Sequence, residues 1–139
     1  MDGRAFLDVA SELAIGTTEA HWRAAVGRAY YALFHEGLAA LLRWSFLLPP
    51  RENGHTFVRL RYSFAADSTL KQIGDALDRL SRWRNQADYH LATPGRFALA
   101  STAPEAVARA RDAIALLDGI DADPSSRATA IAAIQAAFP

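Results

Sequence analysis

The sequence predicts an all-α fold, an up-down bundle of about five to six helices forming a single domain over residues 1–139. Three observations predict it. Apolar residues recur at steps of three and four through most of the chain, the spacing of one helical face. No segment alternates apolar and polar residues as a half-buried strand would. Finally, 51% of the residues are hydrophobic, with Ala and Leu prominent among them, and these favour helix.

The first helix is expected from about Asp2 to Ala14, with Phe6, Val9 and Leu13 as its stripe and Gly16 as its stop. Thr17 or Thr18 then caps a long helix reaching about Trp44. Trp22, Val26, Tyr30, Leu33, Phe34, Leu38, Leu41 and Leu42 make that helix apolar almost all round. Such a helix lies at a domain centre or is shared with a second subunit. Pro49-Pro50 reads as its end and Arg51-Glu52-Asn53-Gly54 as a polar turn. A short helix from His55 to about Ala66 follows, with Phe57, Leu60 and Phe64 at helical spacing. Asp67 or Ser68 caps the next, whose seam runs Leu70, Ile73, Leu77, Leu80, Arg84, Ala87 and Leu91. Thr93-Pro94-Gly95-Arg96 breaks the chain. Thr102-Ala103-Pro104-Glu105 reads as a capping box opening a helix that ends at Gly119, and Asp123-Pro124 opens an Ala-rich last helix.

The formal net charge is zero, which argues against a protein that coats DNA. The charge is uneven, however. Residues 51–96 carry eight basic and five acidic side chains, whereas residues 105–123 carry two basic and five acidic ones. Fourteen of the fifteen cations are Arg, which suits bidentate phosphate contacts and equally reflects a GC-rich coding sequence. Without cysteine there is neither a disulfide framework nor a Cys-based zinc site, and four scattered histidines make a poor metal site. No stretch is apolar enough to span a bilayer and no signal pattern opens the chain, so a cytoplasmic protein is expected.

Arg84 is the anomaly, a guanidinium at a seam position where an apolar residue belongs; buried charge needs a partner or a job. Asp88, four residues on, is the natural ion-pair partner. His90, six residues on, supplies a titratable group, and an Arg followed closely by a His can bind phosphate and move a proton. In a continuous helix six residues turn His90 roughly 120° from Arg84. The two converge only if the helix loosens after Asp88 or a second subunit supplies the partner. On the long helix Arg28, Tyr31 and His35 share one face with Ala24, Ala32 and Ala39. Either this polar stripe meets Arg84, or Arg28 pairs with Glu36 or Asp88 in a satisfied network. His55 reads as a cap of the helix that follows it, and His21 as a surface residue.

The block Arg28-Ala29-Tyr30-Tyr31-Ala32-Leu33-Phe34-His35 resembles a stretch of the HEPN family (higher eukaryotes and prokaryotes nucleotide-binding domain). Gly54-His55 before Phe57, and Arg84 through Asp88-Tyr89, extend the resemblance over about Ala24 to Leu91. It implies an up-down bundle that forms homodimers. In ribonuclease members an Arg, usually followed by a polar residue, precedes a His by four to six positions. Arg84, Asn85 and His90 meet that pattern. Such members cut RNA without metal or cofactor at a cleft between two subunits. Many are toxins encoded with a minimal nucleotidyltransferase as antitoxin, and others work beside nucleotidyltransferases without known cleavage. The resemblance implies Arg84 and His90 as catalytic residues, with Asn85, Asp88, Tyr31, His35 and Arg28 supporting them or binding RNA or nucleotide. One departure stands out: several such toxins carry a modified Tyr two places after the His, and here that place is Ala92.

Overall fold

The computed structural model describes all residues from Met1 to Pro139. It is an all-α bundle of six helices: α1 (Arg4–Ala14), α2 (Glu19–Arg43), α3 (Gly54–Ser63), α4 (Ser68–Tyr89), α5 (Thr102–Ala122) and α6 (Pro124–Ala137). A 3₁₀ turn, Gly95–Ala98, lies between α4 and α5. No helix is long and apolar enough to cross a membrane.

α2 is the central helix because its apolar residues point in several directions and each must be covered. Val26, Leu33 and Leu41 are fully buried on it, and α1, α3, α4 and α5 all pack against it. The expected seam of α4 holds from Leu70 through Ile73, Leu77 and Leu80 to Ala87, all buried. Leu91 does not belong to it. The helix ends at Tyr89, and Leu91 is 67% exposed beyond that end. Trp83, outside the expected seam, is buried instead, its ring covered by the Arg96 guanidinium at 4.5 Å and that of Arg109 at 5.8 Å. Gly74 lets α3 and α4 touch at backbone distance, since a Cβ there would stand 2.8 Å from the Ser63 backbone.

Helix ends depart from expectation where the chain uses signals other than Gly and Pro. α2 stops at Arg43, six residues before the proline pair. The stop is a Schellman motif, in which Ser45 takes the left-handed conformation (φ 71°) usually given to glycine. The Phe46 amide donates to the Leu41 carbonyl at 2.9 Å and the Ser45 amide to that of Leu42 at 3.0 Å. α3 is shorter than expected and buries Phe57, Val58 and Tyr62, leaving Phe64 64% exposed. Its cap is Asn53, whose side chain accepts from the His55 and Thr56 amides; His55 is therefore free of the capping role. The capping box at Thr102 does not form. Ser101 holds the cap position without a side-chain bond, the Thr102 hydroxyl donates to the Arg96 carbonyl at 2.6 Å, and Glu105 pairs with Arg109. α5 continues through Gly119 to Ala122, where Asp123 caps α6. Thr18 and Asp67 cap α2 and α4 as expected.

Leu77 is 2% exposed in the middle of the α4 seam. Leu77→Ala is expected to lower unfolding free energy by about 2–5 kcal/mol, measured by urea denaturation. A change within about 0.5 kcal/mol would mean that the site collapses without leaving a cavity.

Candidate functional site

The two polar stripes of the sequence meet where α2 crosses α4. Gly27 opens the crossing: a Cβ on it would stand 3.9 Å from both Arg84 Cγ and Asp88 Oδ1. Arg84 lies against the Tyr30 and Tyr31 rings, its guanidinium carbon 5.4 and 5.6 Å from their centroids. This is cation–π geometry, and it offsets part of the cost of removing the charge from water. The polar contacts are long. Nη1 donates to the Tyr31 hydroxyl at 3.4 Å and stands 3.7 Å from Asp88 Oδ2, while Nε is buried with no acceptor. A guanidinium has five N–H donors. This one is only partly satisfied.

Arg28 is exposed and in no ion pair with either Glu36 or Asp88. Its guanidinium lies 5.5 Å from the Phe6 ring and 5.8 Å from that of Tyr31. Glu36 is buried and met at 3.7 Å by Arg4 of α1. Burial raises its pKa, and Asp2 beside it acts in the same direction. His35 is exposed at the edge of the same face, stacked on Phe6 at 5.5 Å. Arg28, Tyr31, His35 and Arg84 thus share one surface, with Asp88 at its edge.

His90 is placed elsewhere. It is exposed, caps α4, and its amide donates to the Gln86 carbonyl at 3.1 Å, so the helix stays wound to its end. It borders a cleft of about 290 Å³ with Gln86, Thr93, Pro94, Gly95, Arg96 and Phe97. No hydrogen bond, ion pair or cation–π contact joins any of these residues to the Arg84 guanidinium, whose partners are Tyr30, Tyr31 and Asp88. Asn85 is exposed on the turn between Arg84 and His90.

The turn around His90 is held by a residue that the sequence did not mark. Arg23 of α2 is 8% exposed and reaches across to the end of α4. Its Nη1 donates to the Gln86 and Ala87 carbonyls at 2.9 and 3.0 Å, and Nη2 to that of Thr93 at 3.2 Å. The last carbonyls of a helix lack intrahelical partners and carry partial negative charge, so a cation completes them. Nε donates to Glu19 at 2.8 Å and the guanidinium covers Phe97 at 4.6 Å. Only the Glu19–Arg23 spacing is visible in sequence; the partners 63 to 70 residues away are not.

His55 also occupies an unexpected place. It stacks on Phe34 at 4.3 Å, and its Nδ1 lies 2.5 Å from the Tyr30 hydroxyl. Burial lowers its pKa, and the Arg84 and His35 charges push the same way. Burial raises that of Tyr30. His21, by contrast, is an exposed helix-entry residue whose ring meets the Thr18 hydroxyl at 2.6 Å.

No protein-family model matches this chain, and no curated protein or solved structure matches it either. The residues themselves carry the functional argument.

Two outcomes test this geometry. Arg23→Met keeps the apolar stem but orphans the Ala87 and Thr93 carbonyls; it is expected to cost roughly 1–3 kcal/mol in urea denaturation, with faster amide exchange in the last turn of α4. An unchanged exchange pattern would mean that solvent replaces the guanidinium freely. For His55, the depressed folded-state pKa means that its contribution to stability is complete above the unfolded value, about 6.5, and is lost as pH falls through the lower folded value. An NMR titration should give His55 a midpoint below that of a histidine in the urea-unfolded chain; a midpoint at or above it would contradict the buried, Arg-flanked environment.

Proposed function

We propose that the chain is a metal-independent endoribonuclease of the HEPN type, the toxin of a toxin–antitoxin or phage-defence system, with a composite site at a homodimer cleft. The observation that carries this reading is the Arg84 guanidinium, held among aromatic rings with long polar contacts and a buried Nε that no acceptor meets. The Nη groups, whose polar contacts are long, are the donors that suit a phosphate diester, whose oxygens take two parallel N–H donors; the buried Nε stays out of that contact.

In this reading the RNA 2′-hydroxyl attacks its adjacent phosphorus. His90 takes the hydroxyl proton, the new P–O2′ bond forms, and the P–O5′ bond breaks. A protonated His90 gives the leaving oxygen its proton, leaving a 2′,3′-cyclic phosphate. Arg84 stabilises the charge gathering on the phosphoryl oxygens. Asn85 donates to a phosphate oxygen or orients His90. Arg28, Tyr31 and His35 extend the surface along the RNA, and Asp88 orients Arg84. Because no contact joins Arg84 to His90 within one chain, this reading pairs Arg84 of one subunit with His90 of the other. Tyr89 and Leu91, 72% and 67% exposed beside His90, supply apolar surface for such a pairing. A minimal nucleotidyltransferase as antitoxin, acting in the cytoplasm, completes the proposal.

The absence of any contact between Arg84 and His90 within the chain favours a second reading, a non-catalytic nucleotide- or protein-binding module that works with a nucleotidyltransferase. Cleavage decides between them. Purified protein is expected to cut single-stranded RNA in EDTA and to leave DNA intact, since DNA lacks the 2′-hydroxyl nucleophile. Arg84→Ala and His90→Ala should each abolish cleavage while helicity persists, because the bond that ends α4 uses the His90 backbone amide and not its ring. Light scattering at micromolar concentration should give twice the chain mass. RNA left uncut under all conditions, with a nucleotidyltransferase copurifying, would favour the binding module.

A further inference from the structure

The cleft that His90 borders at the end of α4 is shared by Gln86 and residues 93–97. Its volume, about 290 Å³, lies at the lower end of the range for ligand pockets, roughly 300–1,000 Å³, and suits one planar ring. Its backbone acceptors are largely taken. The Gln86 carbonyl receives the His90 amide at 3.1 Å and Arg23 Nη1 at 2.9 Å, and the Thr93 carbonyl receives Arg23 Nη2 at 3.2 Å. The Pro94 carbonyl accepts from the Phe97 amide at 2.9 Å, and that of Arg96 from the Thr102 hydroxyl at 2.6 Å.

Two donor groups are in the opposite condition. Arg96 Nε donates to Gln86 Oε1 at 2.8 Å, and the Arg96 guanidinium lies 4.5 Å from the centre of the buried Trp83 ring. Arginine can only donate, so this bond fixes which end of the Gln86 carboxamide is oxygen and leaves the NH2 on the other side. Neither that NH2 nor the Arg96 Nη groups hydrogen-bond to another residue of the chain. No carboxylate borders the cleft to compete for them. The Thr93 hydroxyl and the His90 ring can serve in either role.

We propose that this cleft reads one RNA base and prefers guanine, with Gln86 Nε2 donating to O6 and an Arg96 Nη to N7. Guanine presents O6 and N7 as two adjacent acceptors, and in unpaired RNA that edge is open to side chains. Adenine carries an NH2 donor where guanine has O6, so it would meet Gln86 donor to donor. A pyrimidine offers only one group on the corresponding edge. The bond between Gln86 and Arg96 holds the two donors in register, which a flat base edge requires and a phosphate does not. The inference rests on the ribonuclease reading and names the RNA that its site takes. Because His90 borders the same cleft, the base read there belongs to a nucleotide beside the bond that is cut.

Fluorescence anisotropy with labelled 2′-O-methyl RNA oligomers tests it, because the methyl group removes the nucleophile and separates binding from cutting. An oligoadenylate with one central guanine is expected to bind roughly 5- to 150-fold tighter than oligoadenylate itself, the range for one bidentate base contact. Replacing that guanine by 7-deazaguanine, which lacks the N7 acceptor, should remove most of the preference. Gln86→Glu is the sharper variant. It keeps an oxygen for Arg96 Nε but turns the donor facing O6 into an acceptor, so the preference should pass to adenine. Thermal melts check that the variant is folded. Equal binding of the guanine and adenine oligomers overturns the proposal. So does a guanine preference unchanged in folded Gln86→Glu with every oligomer weakened alike, the mark of a phosphate contact. With unmethylated oligomers in EDTA, guanine preference without cutting counts against the ribonuclease reading alone, and cutting without base preference against this proposal alone. No binding of any oligomer overturns both.

Discussion

Covering α2 is the constraint from which the rest of the bundle follows. A 25-residue helix with fully buried apolar residues around much of its circumference cannot rest against a single neighbour. α1, α3, α4 and α5 enclose it, and the polar groups it carries are forced to find partners inside that enclosure. Arg23 finds the end of α4, Tyr30 finds His55, and the Gly37 carbonyl accepts from the Tyr62 hydroxyl at 2.7 Å. Burial holds that phenol firmly protonated. At the far end, Trp44 and Arg43 both donate to Asp121, tying the exit of α2 to α5. Hydrophobic periodicity sets the positions of the helices, while these polar bonds fix how they are turned.

That division explains what the sequence made legible. Helix number, the α4 seam through Ala87, and the Thr18, Asp67 and Asp123 caps are local patterns, each decided within a few residues. The encounter of Arg84 with Tyr31 was also foreseeable, because two polar stripes on apolar helices cost least when they face each other. The misreadings are nonlocal. Pro49-Pro50 and Gly119 look like breakers, but one lies beyond a Schellman stop built on Ser45 and the other is exposed on α5, where tertiary packing outweighs its weak helix propensity. His55 looked like a cap because it follows Asn53-Gly54; its stacking against Phe34 depends on where α3 docks. Nothing local marks Arg23, because its carbonyl partners lie 63 to 70 residues away.

The α2–α4 crossing serves two surfaces at once. On one, Arg84, Arg28, Tyr31 and His35 make a basic, aromatic face open to solvent. On the other, Tyr30 turns its hydroxyl inward to His55. Adjacent residues on a helix point about 100° apart, so Tyr30 and Tyr31 face different sides of the crossing. Arg84 contacts both rings and lends its charge to each.

The Arg23 clasp has a kinetic meaning as well. Its bonds join residues 63, 64 and 70 positions apart, whereas the caps and helical bonds of α4 close within four. Such a contact forms only after the intervening chain has collapsed and the loop-closure entropy has been met by other packing. The turn bearing His90 therefore depends on bonds that form only with the tertiary fold, after the local bonds of α4. A newly made chain would hold a wound α4 before it holds an ordered His90 turn, and any chemistry that depends on that turn would begin only when folding is complete.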